Sequence, residues 1–205
     1  MSTPEVSKAV VELVKLALVF SRVDRVTYHD DSMTRESDSD HTVMLALIAC
    51  AYAEHFYKDP LDIGKVAQFA IIHDLVEAYA GDTDSLGITA ESKLDKNLRE
   101  EQALLRIHEE FDATFPWLTA TIEEYDTLGS KEARFIKLLD KAMPKITNIL
   151  NNGKRLLEGG KTKEQTEKLF EDQMVHYTET YGEEFPEIIE LMRGLMSDTV
   201  KKTYV

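Results

Sequence analysis

The chain has 205 residues, 43% of them hydrophobic and 30% charged, which suits one soluble globular domain burying roughly 70% of its unfolded surface. Its 38 acidic residues outnumber 24 basic ones for a net charge of −14, and that sign disfavours a nucleic-acid polymer as partner, since polyanion binding needs clustered Lys and Arg. The single cysteine excludes an intrachain disulfide framework, and the longest uncharged apolar run, Val43 to Ala53, is too short to span a bilayer. With no basic-then-apolar secretory signal at the N-terminus, a cytoplasmic protein without a membrane partner is expected.

Ser2-Thr3-Pro4-Glu5 reads as a helix start, with Ser or Thr as cap and proline in the first turn. Val6, Ala9, Val10, Leu13, Leu16, Ala17 and Phe20 follow at helical spacing, so the first helix runs to about residue 21. Arg22 to Asp40 has no sustained periodicity and is expected to be a connecting loop, long enough to carry function. A second helix over about 39–57 is apolar almost throughout and therefore central, with Cys50 in it as a buried structural thiol. Lys58-Asp59-Pro60 breaks it. A third helix covers about 61–80, with Ile63, Val66, Ala67, Ala70 and Ile71 facing inward and Gly81 as its stop.

Thr83 to Thr89 reads as a loop, 90–112 as a strongly charged fourth helix and about 117–126 as a short one. A further helix starts at Gly129-Ser130, and Pro144 should kink or interrupt it. Asn151-Asn152-Gly153 and Gly159-Gly160 are turn signals, and two helices occupy about 161–181 and 185–203. No strand pattern persists, so the fold class is all-α, a bundle of about seven to nine helices forming a single domain.

Several helices place ionisable side chains in apolar surroundings. Ala70 to Asp82 begins as an apolar run and then carries His73, Asp74, Glu77 and Asp82 within ten residues. A buried, unpaired carboxylate is costly, and a divalent metal compensates it because imidazole and carboxylate are both ligands. His41 stands where the polar stretch Glu36-Ser37-Asp38-Ser39-Asp40 runs into the second helix, and Asp140 is a single carboxylate in the apolar run Phe135 to Ala142. His41, His73, Asp74 and Asp140 thus offer two nitrogens and two oxygens. Such a set suits one ion of manganese, cobalt, iron, nickel or zinc, with magnesium as a further candidate, and leaves two octahedral positions for water or substrate oxygens. Glu77, one turn beyond His73, is expected to face the same cavity and to handle the proton, or else to orient a ligand imidazole. His29, His55 and His176 read as surface positions. His108 lies in a Glu-rich helix with no further histidine before Asp140, which argues against a second metal.

These residues sit in motifs, RESDSDH at 35–41, HDLVEAYAGD at 73–82 and IEEYDTLGSKEARFIKLLDK at 122–141. In order and spacing, over about 20–150, they resemble the HD-domain metal-dependent phosphohydrolases, whose signature is H…HD…D, and in particular the 5′-deoxynucleotidase branch. The resemblance implies a single HD domain with the C-terminal helices of about 161–203 packed on its core, and commonly a homodimer. It implies a nucleotide substrate, hydrolysis of 5′-phosphomonoesters of nucleosides and a preference for 2′-deoxy sugars. It also implies a catalytic and substrate-contacting role for Asp82. An arginine followed by tryptophan reads the substrate in that branch; here Arg25 is the better match, Arg22 the alternative, and Tyr28 stands where the tryptophan is expected. The same scaffold also releases triphosphate or pyrophosphate from dNTPs in relatives richer in cations, which Lys93, Lys96 and Arg99 would supply. The rival outside catalysis is a helical binding module that the metal merely stabilises.

Overall fold

In the computed structural model, which describes residues 3–84 and 89–205, apolar periodicity becomes helix along most of the chain. The elements are α1 (Thr3–Phe20), β1 (Asp24–Tyr28), β2 (Arg35–Ser37), α2 (Asp38–Phe56), α3 (Ile63–Ile72), α4 (Glu77–Ala80), α5 (Ala90–Phe111), α6 (Trp117–Asp126), α7 (Lys131–Asp140), α8 (Met143–Leu150), α9 (Lys154–Glu158), α10 (Lys163–Tyr181) and α11 (Pro186–Thr203). Because α4 and α9 are single turns of four and five residues, nine longer helices remain among the described residues, as an all-α bundle requires. No helix among them is long and apolar enough to cross a membrane. Ser2, a candidate cap of α1, and residues 85–88 of the loop expected over 83–89 lie outside the described residues.

The expected loop over 22–40 contains a small antiparallel hairpin instead. β1 pairs Asp24 with Ser37 and Tyr28 with Arg35, with a register shift between the two pairs. Strands of five and three residues are too short to show a sustained alternation, and the bulge removes what remains of it. The hairpin tip is closed by Asp31, whose Oδ1 accepts from the backbone N–H groups of Met33 and Thr34, both at 2.8 Å.

The helix expected over 61–80 is also divided. Leu75, Ala78 and Tyr79 donate backbone bonds three residues back, to Ile72, Leu75 and Val76, so the chain tightens between α3 and α4. Within α3 the buried stripe is Val66, Phe69, Ala70 and Ile72, while Ile71, expected inward, is half exposed because it lies off the i, i+3, i+4 line of Val66, Phe69 and Ala70. In α2, Leu45, Ala49 and Ala53 are fully buried but Val43 and Leu47 are exposed, so the helix is central on one face only. Cys50 is half-buried, not enclosed as expected.

One hydrophobic cluster joins these residues of α2 and α3 to Phe135, Ile136 and Leu139 of α7 and to Phe170, Phe185, Ile188 and Met192 of the C-terminal segment. At its centre Tyr57, Phe135 and Phe185 meet edge to face, with ring centroids 5.6 to 5.7 Å apart. Pro144 ends α7 by opening α8, and Gly153, at φ 71°, turns the chain against α11, where a Cβ would overlap Thr203. Phe135→Ala removes the ring that both aromatic partners share. It should lower the unfolding free energy by about 3–5 kcal/mol, read from urea denaturation.

Candidate metal centre

The centre is built from helix ends. Ser37 caps α2, accepting from the backbone N–H of Asp40 (3.2 Å) while Asp40 Oδ2 accepts from the N–H of Ser37 (3.0 Å), and this capping box sets His41 in the first turn. His73 and Asp74 follow directly on α3, in the tightened segment. Asp140 is the last residue of α7, where Pro144 prevents the ladder from continuing because it has no N–H to donate.

These four side chains converge: one donor atom from each of His41, His73, Asp74 and Asp140 lies within 4.8 Å of all the others. His41 Nε2 is 3.1 Å from Asp140 Oδ1 and 4.0 Å from Asp74 Oδ2, and His73 Nε2 is 3.1 Å from Asp74 Oδ2. His73 Nδ1–H donates to the Ala70 carbonyl at 2.9 Å, which leaves the Nε2 lone pair pointing inward, buried and without a hydrogen-bond partner. An orphaned imidazole lone pair beside two carboxylates is what a divalent ion would satisfy, so the residues fit such a group. His41 is braced from behind: its Nδ1 is 3.1 Å from Glu36 Oε1, and Glu36 Oε2 accepts from Thr27 Oγ1 at 3.0 Å.

The electrostatics follow from crowding. Burial works against a charge on His41, but hydrogen bonds to Asp140 and Glu36 outweigh it and raise the imidazole to about 9. Burial likewise opposes the charge on Asp140, yet Lys141, His41 and His73 hold it well below the usual carboxylate range, and Lys141 Nζ donates to Asp140 Oδ2 at 2.7 Å. Glu77 goes the other way. Burial, then the charges of Asp74, Asp38 and Asp82, push it up to about 9, while Asp38, fully buried, is raised by its burial to about 6 against the pull of Arg25. A divalent ion at the centre acts in the opposite direction on both.

Arg25 reaches this cluster, but carboxylates engage it. Its Nη1 lies 3.0 Å from Asp38 Oδ1, 2.9 Å from Asp74 Oδ2 and 3.6 Å from Glu77 Oε2. Arg22 is exposed in the turn after α1. Tyr28 is not brought to the cluster: its contacts are Glu158 through the hydroxyl, the Arg35 guanidinium 4.3 Å from its ring, and Asn151, whose Nδ2 donates to its carbonyl at 2.8 Å. The pleat and bulge of β1 send Arg25 one way and Tyr28 the other. Asp82, half-buried after Gly81 (φ 74°), carries its charge to Arg25, Asp38 and Glu77. Arg99 anchors the segment on either side of Asp82, donating to the Ala80 carbonyl and to Thr83 Oγ1.

A cavity of about 470 Å³ opens beside His73 and Asp74, lined further by Lys96, Glu100, Tyr125 and Lys137. Lys96 Nζ is 3.4 Å from Glu77 Oε1 and 3.2 Å from Glu100 Oε1, whereas Lys93 is exposed. His108 spans Asp112 (2.6 Å) and Glu123 (3.1 Å), so the Glu123-Glu124-Tyr125 run serves packing: Glu123 ties α6 to α5, Glu124 meets Lys65 of α3, and Tyr125 stacks edge-on to His73. Sequence reasoning missed Glu36 and Asp38. Both stand in the quoted motif, but in a polar stretch that gives no sign of burial.

A family model described as HD domain matches residues 21–181. The chain belongs to the HD-domain family, and that membership implies a divalent metal. It is similar to human 5′-deoxynucleotidase HDDC2, 29% identical over 140 residues, which cover 66% of this chain and 64% of that protein. The match therefore spans just under two thirds of the relative's length. Among solved structures it is similar to a predicted metal-dependent phosphohydrolase from Magnetospirillum magnetotacticum MS-1, with a TM-score of 0.78 and 26% identity over 100% of this chain and 98% of that one. It also resembles a conserved hypothetical protein from Pyrococcus furiosus, with a TM-score of 0.60 and 28% identity over 90% and 99% of the two chains.

Two outcomes follow from this geometry. In the metal-free protein both ring N–H groups of His41 face carboxylates, so a metal at Nε2 displaces a proton. Binding at pH 7 should release at least about one proton, and apparent affinity should rise about tenfold per pH unit until pH passes about 9, where His41 is already neutral. Calorimetry in buffers of different ionisation enthalpy checks both. Glu36→Gln should weaken metal binding by about 10–100-fold without unfolding the chain, measured by chelator competition and circular dichroism.

Proposed function

We propose that the protein is a metal-dependent phosphohydrolase that removes the 5′-phosphate from nucleoside monophosphates, with a preference for 2′-deoxy sugars. The observation that carries this reading is the orphaned Nε2 of His73, set among His41, Asp74 and Asp140, with His73 and Asp74 lining the cavity. His41, His73, Asp74 and Asp140 would hold the metal. When bound, it supplies Lewis-acid polarisation of a phosphoryl oxygen and activation of water. Glu77 holds and moves the proton through Oε2, a buried oxygen with no hydrogen-bond partner. Arg25 fixes Asp74 and Glu77 relative to each other, and Asp82, to which the likeness assigns a catalytic and substrate-contacting role, adds its charge to the same cluster.

The monophosphate is favoured over the triphosphate because two of the three α5 cations expected to bind extra phosphates are otherwise engaged, and the third, Lys93, is exposed away from the lining of the cavity. Lys96 is shared by Glu77 and Glu100, and Arg99 is held by Ala80, Thr83 and Asp95. The sugar preference rests on the likeness to the deoxynucleotidase, because Tyr28 faces away from the cluster. The exposed side chains of Val10, Val11, Val14 and Leu18 on α1, and of Val43 and Leu47 on α2, support a homodimer, and the composition supports a cytoplasmic location.

The test is phosphate release from dAMP, AMP and dATP by protein stripped of metal and reloaded separately with Mn²⁺, Co²⁺, Mg²⁺ or Zn²⁺. Metal-dependent release from dAMP is expected, faster than from AMP. Glu77→Ala should keep the metal and lose about 10²–10⁴ in kcat. Triphosphate or pyrophosphate release from dATP alone would make the protein a triphosphate hydrolase. Bound metal with no turnover on any substrate would leave a metal-stabilised binding module.

A further inference from the structure

A lysine stands apart from every ion pair described above. Lys145, in the first turn of α8, is 94% buried (6% exposed) and makes no side-chain hydrogen bond or ion pair among the described residues. Its Nζ lies 5.9 Å from the ring centres of both Phe170 and Tyr177 on α10. It is one turn beyond Lys141, whose own ammonium is taken up by Asp140 at 2.7 Å. Burial and the neighbouring charge of Lys141 bring Lys145 down to about 8, so it is still mostly charged at neutral pH.

Cationic character accumulates at this point. A helical side chain leans toward its own N-terminus, so the Lys145 stem runs back over the start of α8, and no side chain caps that start. Tyr177 is buried, its hydroxyl close enough to feel the charges of Lys141 and Asp140, and it too has no hydrogen-bond partner among the described residues. The Lys145 ammonium and the Tyr177 phenol are two donors with no acceptor among the described residues; the start of α8 adds only its dipole, because Pro144 has no N–H and the Lys145 N–H is already bonded to the Ala142 carbonyl at 3.0 Å. A lone buried lysine is unfavourable unless an anion joins it.

We propose that Lys145 and Tyr177 form a binding site for a phosphate group on the α8–α10 side of the metal centre. A tetrahedral oxyanion fits because it offers separate acceptor oxygens to the ammonium and the phenol. The phosphate comes either from the nucleotide or from the free inorganic ion. The site does not depend on the nucleotidase reading, since binding is measured without turnover.

The metal-loaded wild type and Lys145→Met are titrated calorimetrically with inorganic phosphate and, separately, with the 5′-methylenephosphonate analogue of dAMP. Lys145→Met should weaken binding by about tenfold or more, the worth of one charge-assisted hydrogen bond, while its Tm without ligand does not fall. Weakening for both ligands assigns the site to the nucleotide's phosphoryl group, and weakening for inorganic phosphate alone assigns it to the free ion. Reductive methylation of the wild type, mapped by mass spectrometry, gives a variant-free check: phosphate should shield Lys145 and leave exposed Lys58 unchanged. Unaltered affinity for both ligands, or equal labelling of Lys145 with and without phosphate, overturns the proposal.

Discussion

Carboxylates gather in the interior of this protein beyond what burial tolerates, and the guanidinium of Arg25 is the cation that holds several of them together. Asp38 and Asp74 lie within 3.0 Å of one of its nitrogens, with Glu77 at 3.6 Å, so one side chain from the hairpin fastens α2, the turn after α3, and α4 to each other. The compensation is partial. Asp38 Oδ2 and Glu77 Oε2 stay buried without hydrogen bonds, and both carboxyls are pushed toward their protonated forms. Positive charge is the missing ingredient, and a divalent ion among His41, His73, Asp74 and Asp140 is the economical source of it.

That arrangement depends on where helices stop. Had α3 run unbroken through residue 80, or α7 through Pro144, the backbone around Asp74 and Asp140 would follow a single cylinder. Instead the tightened turns after Ile72 and the proline-opened start of α8 put these carboxylates at helix ends, where they meet His41 in the first turn of α2. The hydrophobic cluster supplies the rigidity. Phe69 and Tyr125 pack beneath His73, and the Tyr57, Phe135 and Phe185 rings join the C-terminal helices to α7. Stability and site geometry therefore share residues, and a loss of packing around α7 reaches Asp140 directly.

A net charge of −14 coexists with several cationic side chains near Asp140. Lys141, Lys145 and the start of α8 occupy one side of it, while Lys96 and Lys137 line the cavity beside His73 and Asp74. Global charge governs encounters with large partners over a Debye length, whereas a small anion inside a cavity responds to the few groups that touch it. An acidic protein and an anionic substrate are thus compatible.

Much was legible without coordinates. Helical periodicity located α1, α2, α5, α6, α10 and α11 nearly to the residue, and Pro144 announced the break after Asp140, because helix signals are local. The His41, His73, Asp74 and Asp140 quartet was also readable, since ionisable residues within apolar runs stand out. The hairpin was hidden by its shortness, and the division of α3 from α4 by the absence of any breaker between Ile72 and Glu77. Glu36, Asp38 and Tyr28 mark the boundary most clearly. Two acids in a polar stretch turned out to be buried, and an aromatic ring beside a critical arginine turned out to face elsewhere. The sequence by itself determined which residues bring nitrogen, oxygen and charge, because those are properties of the side chains. Only the tertiary structure decided which of them meet, because a bulge in β1 and a tightened turn after α3 redirect side chains through contacts far away along the chain.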